Sequence, residues 1–243
     1  MSQLLPCHVG LDGTSSGVWN MAFDEALLNA AVESGFCALR FYAWDQPTVT
    51  LGHFQPPDDP ILNLRFPTLP RIRRLSGGGA ILHDRELTYS CVVPADHPLA
   101  RNPGSIYDEV HARIVAVLTD LGVSCGLRGS QLVEPEPFLC FGRGDARDII
   151  LNGHKIVGSA QRRRRGAILQ HGSILLSASL HAPEFPGIQE LTGHQLHSRE
   201  LAELLAPRVS PLLGLASLET TWPVYTRECA STLVANYQSP AGY

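Results

Sequence analysis

Asp148-Ile-Ile-Leu-Asn-Gly-His-Lys-Ile-Val157 reads as a β-hairpin, two apolar runs turning at Asn152-Gly153. Asn-Gly suits the left-handed backbone of a tight two-residue turn, which fixes where the strands meet. Working outward, Ala167 to Leu176 is another apolar strand, and Ala80 to His83 and Leu87 to Val93 are two more. Ala38 to Trp44 and Thr48 to Gly52 read as strands around an Asp45-Gln46-Pro47 turn. Helices are expected from Asn20, which can cap Phe23, Leu27, Ala30 and Ala31 before Gly35 stops them. A second is expected from Ser105, with a stripe of Tyr107, Val110, Ile114, Val117, Leu118 and Leu121 ending at Gly122. A third begins at Ser198, buries Leu201, Leu204 and Leu205, and is disturbed at Pro207. A last one runs from about Arg227 to Tyr237. Residues 56–70 hold five prolines and read as loop; 126–147 are rich in Gly, Pro and Arg. Strands and helices mix without a regular βαβ alternation, so the fold class is α+β, a central mixed or antiparallel sheet flanked by helices.

The chain has 243 residues, 44% hydrophobic and 17% charged, the balance of a protein that buries a full core. No apolar run approaches the roughly 20 residues of a membrane helix. The N-terminal Met1-Ser-Gln-Leu-Leu-Pro-Cys7 lacks a basic region and a long apolar core, so no secretory signal is expected. A net charge of −4 argues against broad nucleic-acid binding. The six cysteines are scattered without a C-x-x-C pair, which points away from zinc or iron–sulfur sites and towards a reducing, cytoplasmic setting.

Two residues carry most of the chemistry. Cys140 sits in a stretch that is neither strand-like nor helix-like, beside Phe141, Gly142 and Gly144. Most cysteines are small buried hydrophobes, and that is the reading for the other five. A thiol in a Gly-rich loop is also a candidate nucleophile. Lys155 lies in the hairpin strand: an outward lysine on an edge strand, or an ammonium that favours a thiolate or holds an acyl carbonyl. Gly77-Gly78-Gly79 is no phosphate-binding P-loop, because no Gly-Lys-Ser/Thr follows; its interest comes from Arg73 and Arg74 before it and His83-Asp84 after it. His83 and His171 are either hydrogen-bonded structural histidines or site residues. His194-x-x-His197 has metal-like spacing on an expected helix, but no third ligand, so no metal is expected. Arg162 to Arg165 is a solvated turn or a docking patch for an acidic partner.

Taken together, these motifs resemble the lipoate/biotin protein ligase superfamily. Trp19 to Leu28 resembles its first helix, Leu39 to Gln55 its first hairpin, and Arg73 to Asp84 its acyl-site glycine loop. Gly153-His-Lys-Ile-Val-Gly-Ser-Ala-Gln161 and Gln170-His-Gly-Ser-Ile-Leu-Leu176 complete the set. Within that superfamily, Cys-Phe ahead of the lysine motif is similar to the cysteine-dependent octanoyltransferases. The resemblance implies a biotin/lipoate ligase catalytic fold, with Cys140 as nucleophile and Lys155 beside it. It implies an acyl site at Arg74, Ser76, Gly77, Gly78, Gly79, Ala80, His83, Gly158, Ser159, Ala160, His171 and Gly172. It implies acyl carrier protein as octanoyl donor, and a glycine cleavage H protein or a dehydrogenase E2 lipoyl domain as acceptor. No cofactor is then needed. The alternatives are an ATP- and Mg-dependent lipoate–protein ligase, an amidotransferase between lipoyl domains, and a non-catalytic acyl-binding protein. Only 67 residues (243 − 176) follow Leu176, too few for the rest of the core plus an accessory domain, so residues 1–243 are expected to form one catalytic domain.

Overall fold

The computed structural model describes residues 5–130, 138–219 and 221–238. In chain order the elements are β1 (Pro6–Ser15), α1 (Gly17–Ser34), β2 (Cys37–Trp44), β3 (Thr48–Leu51), α2 (Pro60–Arg65) and β4 (Arg71–Arg73). Then come β5 (Ile81–His83), β6 (Glu86–Val93), α3 (Pro103–Asp120), β7 (Gly126–Leu127), β8 (Ile149–Leu151), β9 (His154–Arg164) and β10 (Ala167–Leu175). The chain continues through α4 (Ile188–Thr192), α5 (Ser198–Leu213), β11 (Leu215–Glu219) and α6 (Val224–Tyr237). Among the described residues one mixed sheet has the order β11-β1-β2-β6-β10-β9-β8-β7, and β4-β3-β5 form a small second sheet.

Side chains alternate across the large sheet because successive residues of a strand face opposite ways. Leu39, Phe41, Leu87, Tyr89, Cys91 and Val93 pack with α3 and α5 through Ile114, Leu118 and Leu205. Ala38, Val92, Ala167 and Leu169 pack with Phe23 and Leu27 of α1 and Ala230 of α6. The α+β expectation holds: a mixed sheet with helices on both faces. The Asn152-Gly153 hairpin holds too, with both residues at positive φ (50° and 81°) between β8 and β9.

Several boundaries differ. The first helix starts at Gly17, capped by Ser16, and Asn20 lies buried inside it. There its amide donates to the Ser15 and Ala43 carbonyls. The helix expected from Ser105, α3, starts at Pro103 after an Asn102 cap; proline at a first helical position, with no N–H to satisfy, is the stronger signal. Residues 56–70 are not all loop: Asp59 caps α2, with Pro60 at its start. β2 and β3 do not pair as a hairpin. β2 joins the large sheet and β3 the small one, so the Pro47 turn carries the chain between them. α5 runs unbroken through Pro207 and Pro211, held by its buried Leu201, Leu205, Val209 and Leu213, while Leu204 is exposed. β1 and β11 carry too little alternation to be read as strands in the sequence. The Gly-, Pro- and Arg-rich stretch 126–147 begins with β7 and falls partly on 131–137, outside the described residues.

Arg40 is fully buried at the centre of the α1 face. Its guanidinium meets Asp12 at 2.6 Å, Asp24 at 3.4 Å and the Asn20 side-chain oxygen at 2.8 Å, and lies over the Tyr42 ring. Removing one member of such a group strands the others without compensation. We expect Arg40→Met to lower stability by about 3–5 kcal/mol in urea unfolding. A loss under 1 kcal/mol, taking ~1 kcal/mol as the ceiling for exposed pairs, would show that the carboxylates find other partners.

Candidate active site

The catalytic candidates converge where β9 and β10, the glycine loop and the Cys140 segment meet. Cys140 opens a short 3-10 turn, Cys140–Gly142, and its N–H donates to the Ala80 carbonyl at 2.7 Å. Lys155 is not an outward edge residue. β9 is paired on both sides, and the lysine is buried, with Nζ 3.9 Å from Cys140 Sγ and 3.3 Å from the Cys140 carbonyl oxygen. Asp148, at the foot of the hairpin, takes the ammonium at 2.8 Å and is itself held by the Asp145 N–H and faced by Arg128. Gly158 makes this possible: a Cβ there would stand 2.4 Å from Lys155 Cε, so the lysine chain lies across bare backbone.

Cys140 is only partly buried, whereas Cys7, Cys37 and Cys91 lie in the core. Burial pushes the Cys7 and Cys37 thiols up to about 12, and raises Cys91 further, so these remain protonated fillers as expected. Cys125 and Cys229 are only half-buried.

The glycine loop is built on Arg74. That buried guanidinium donates to the carbonyls of Gly77 (2.6 Å), Gly79 (2.7 Å) and Thr50 (3.2 Å), and to the hydroxyl of Ser76. Burial pulls it down to about 10, which leaves it charged at neutral pH. Gly78 has φ +91°, and a Cβ there would lie 3.1 Å from Arg74 and 3.9 Å from Cys140 Sγ. Glycine therefore serves both conformation and proximity. Opposite it, a Cβ at Gly52 would stand 2.0 Å from the Gly78 carbonyl oxygen.

A cleft of about 530 Å³, its open mouth included, is bounded by Cys140, Lys155, Arg74, Gly77, Gly78, His83, Gly158, Ser159, Ala160, His171 and Gly172. Met21, Tyr42, Thr88 and Ser173, which the sequence did not single out, extend it inward. Three expected residues stand behind the wall rather than on it. Ser76 is buried and bonded to His171 Nε2 at 2.5 Å. Ala80 seats Cys140 through its carbonyl, and Gly79 packs against Arg143. His171 Nδ1 reaches Asp24 on α1 at 2.9 Å. The Ser76–His171–Asp24 array is buried at its serine end, so it braces the loop rather than offering a nucleophile. His83 is fixed by Thr50 and Glu86 and stacks on Trp44 at 3.9 Å. The Ser159 hydroxyl turns to the α3 side of the sheet, onto Tyr89 and His111, each at 2.7 Å.

His194 and His197 lie in the turn before α5 rather than on a helix. Among the described residues no three His, Cys, Asp or Glu side chains cluster as a metal site. Arg162 to Arg164 belong to β9, and only Arg165 and Gly166 form the turn. Arg164 is committed to the fold through Glu25 and Asn29.

The family model for the lipoyl protein ligase A/B catalytic domain matches residues 16–213. An octanoyltransferase LipM from Kyrpidia tusciae is 33% identical, with 93% of this chain and 93% of that protein covered. One from Bacillus cereus is 37% identical over 72% of this chain and 66% of its own length. Among solved structures, lipoate-protein ligase A bound with ATP superposes with a TM-score of 0.75 at 22% identity, over 95% of each chain. A bi-partite lipoate protein ligase from Thermoplasma acidophilum gives 0.72 at 21% identity, over 95% of this chain and 92% of that one. At that identity the two structures establish a shared fold.

The Gly52–Gly78 contact sets backbone against backbone, so neither side can yield cheaply. Gly52→Ala should cost about 1–3 kcal/mol in urea unfolding, the range for overpacking. Unchanged stability would mean that the loop has another seat.

Proposed function

This chain belongs to the lipoyl protein ligase A/B catalytic-domain family, and we propose that it is an octanoyltransferase that works through a thioester on Cys140. The observation that carries this reading is the single constellation of Cys140 Sγ, Lys155 Nζ 3.9 Å away and bare glycine backbone along an apolar cleft. Binding alone needs neither the thiol nor the ammonium. A ligase that makes an acyl-adenylate needs the lysine but has no use for a thiol beside it.

In this reading the donor is octanoyl-acyl carrier protein. Its alkyl chain lies along the cleft towards Met21 and Tyr42, where Gly77 and Gly78 leave room. The Cys140 thiolate attacks the thioester carbonyl; the new C–S bond forms, the old one breaks, and the carrier thiol leaves with a proton from solvent. Lys155 faces the negative charge at Sγ and then at the carbonyl oxygen. The N–H groups of Gly77 and Gly78, which take no acceptor among the described residues, are further donors for that oxygen. The acceptor is a lysine of a lipoyl-domain protein, such as glycine cleavage H protein or a dehydrogenase E2. Its neutral amine attacks the octanoyl-Cys140 thioester, the C–N bond forms, the C–S bond breaks with its electron pair on sulfur, and the extra proton on nitrogen passes to solvent. Thioester to amide runs downhill, so ATP, magnesium and any other cofactor are unnecessary. No described helix is long and apolar enough to cross a membrane.

Octanoyl transfer to a lipoyl domain should proceed without ATP, and Cys140→Ala should lower it by a factor of roughly 10⁴ or more while the fold survives. Transfer by Cys140→Ala at the wild-type rate, or transfer that begins only when ATP is added, would favour the ligase instead.

Arg163 and Arg165 are exposed beside half-buried Arg162, on a protein of net charge −4. Such a patch suits an acidic carrier, and steering acts on encounter rather than chemistry. The second-order rate of acyl loading should fall with rising salt, and by roughly tenfold in Arg163→Gln/Arg165→Gln at low salt. Salt-insensitive loading would leave these arginines as solvated surface residues.

A further inference from the structure

A chain of hydrogen bonds crosses the α3 side of the sheet behind the active site, and its direction can be worked out from its ends. It begins at the Pro103 carbonyl and finishes at the Arg147 carbonyl, both of which can only accept. Gln161 Nε2 donates to the Pro103 carbonyl (2.8 Å) and to Gln170 Oε1 (2.9 Å). Gln170 Nε2 donates to the Tyr89 hydroxyl at 2.9 Å. Tyr89 lies 2.7 Å from Ser159 Oγ, Ser159 Oγ 2.7 Å from His111 Nε2, and His111 Nδ1 2.6 Å from the Arg147 carbonyl oxygen. His111 Nδ1 must therefore carry the proton. With neutral imidazole, Nε2 accepts from Ser159, Ser159 accepts from Tyr89, and Tyr89 accepts from Gln170. Each hydrogen bond of the chain then pairs one donor with one acceptor, and no other arrangement of the neutral ring does so.

The histidine ties together the two pieces of backbone that aim the reactive lysine. Arg147 precedes Asp148, which holds the Lys155 ammonium. Ser159 follows Gly158, across which the Lys155 chain lies. We infer that His111 is a positioning residue, which clamps the Asp148 loop to β9 in its neutral form and so keeps Lys155 facing Cys140. This inference rests on the cysteine–thioester reading of the site.

Protonation breaks the clamp. An imidazolium puts N–H on both nitrogens, so Nε2 would face the Ser159 hydroxyl as a second donor. Ser159 would then either accept from both His111 and Tyr89, with its own proton stranded, or turn to donate to Tyr89, with the phenol proton stranded. Burial favours the neutral form and holds His111 below its ordinary value of 6.5; Lys155 pushes the same way, while the Arg147 carbonyl, Asp148 and Asp108 push against it. Tyr107 of its own helix and Ser159 of β9 also contact the ring, and Tyr89 of β6 lies one hydrogen bond further along; all are uncharged near neutral pH. The sign follows. Below 6.5 the unfolded chain takes up a proton that the folded clamp resists, so this contribution is complete above 6.5 and is lost as pH falls towards the lower folded value.

Glutamine makes the discriminating variant. It can donate through Nε2 to the Arg147 carbonyl and accept through Oε1 from Ser159, but it does not titrate. The rate of octanoyl loading onto Cys140 from octanoyl-acyl carrier protein is measured by quenched intact mass between pH 5 and 8. The same range is covered for His111→Gln and His111→Ala. Wild type should show an acid limb one proton steeper than His111→Gln, and His111→Ala should load about tenfold more slowly than His111→Gln at pH 8, the cost of an unmade buried bond. Parallel acid limbs in wild type and His111→Gln, or equal rates for the Gln and Ala variants at pH 8, would overturn the inference. Should wild type form no adduct at Cys140 at any pH, the thioester reading itself falls, an outcome distinct from the other two.

Discussion

One buried guanidinium holds the active site open. Arg74 spends its donors on two carbonyls of the glycine loop, on Thr50 of β3 and on the Ser76 hydroxyl. Nothing else in the loop could keep those carbonyls facing one point. Buried carbonyls without partners would cost about 1–3 kcal/mol each, so the loop without Arg74 would have to turn them to water. Arg74 is also a fixed positive charge on the wall that carries Cys140 and Lys155. A single side chain thus supplies the shape of the cleft and part of its field.

The sheet divides the remaining tasks between its faces. On the α1 face, Asp24 joins Arg40, Tyr42 and His171, and His171 braces Ser76 at the start of the loop. On the α3 face, His111 and Ser159 brace the strand that bears Lys155. Cys140 is positioned by backbone, through the Ala80 carbonyl. Cys140, Lys155 and the glycine loop are therefore anchored by three sets of contacts. Small misplacements are costly in such sites, because transfer chemistry depends on near-attack geometry.

Much of this was legible in the residues, for identifiable reasons. Asn152-Gly153 needs positive φ at two consecutive positions, a demand that only a tight hairpin makes, and the turn lies there. Gly35 stops α1 in the left-handed conformation for the same local reason. Cys140 and Lys155 stood out because a thiol in a Gly-rich stretch and a lysine in an apolar strand both break their local pattern. What stayed hidden depends on partners distant in the chain. Whether β2 pairs with β3 is decided by which sheet each can bury itself in, not by the turn between them. Asp148 and His111 look like ordinary surface and helix residues until folding brings them to Lys155 and Ser159. Pro207 and Pro211 read as breaks because helix rules weigh backbone geometry alone, while the buried face of α5 outweighs them.

The central claim is that the octanoyl group rests on Cys140 between donor and acceptor. It is tested most directly by mixing the protein with octanoyl-acyl carrier protein in the absence of ATP, then locating any adduct by intact mass and peptide mapping. The account predicts one octanoyl group per chain, on Cys140, released by neutral hydroxylamine and discharged when a lipoyl domain is added. A chain that stays unmodified under these conditions, yet transfers octanoate once ATP is supplied, would contradict it.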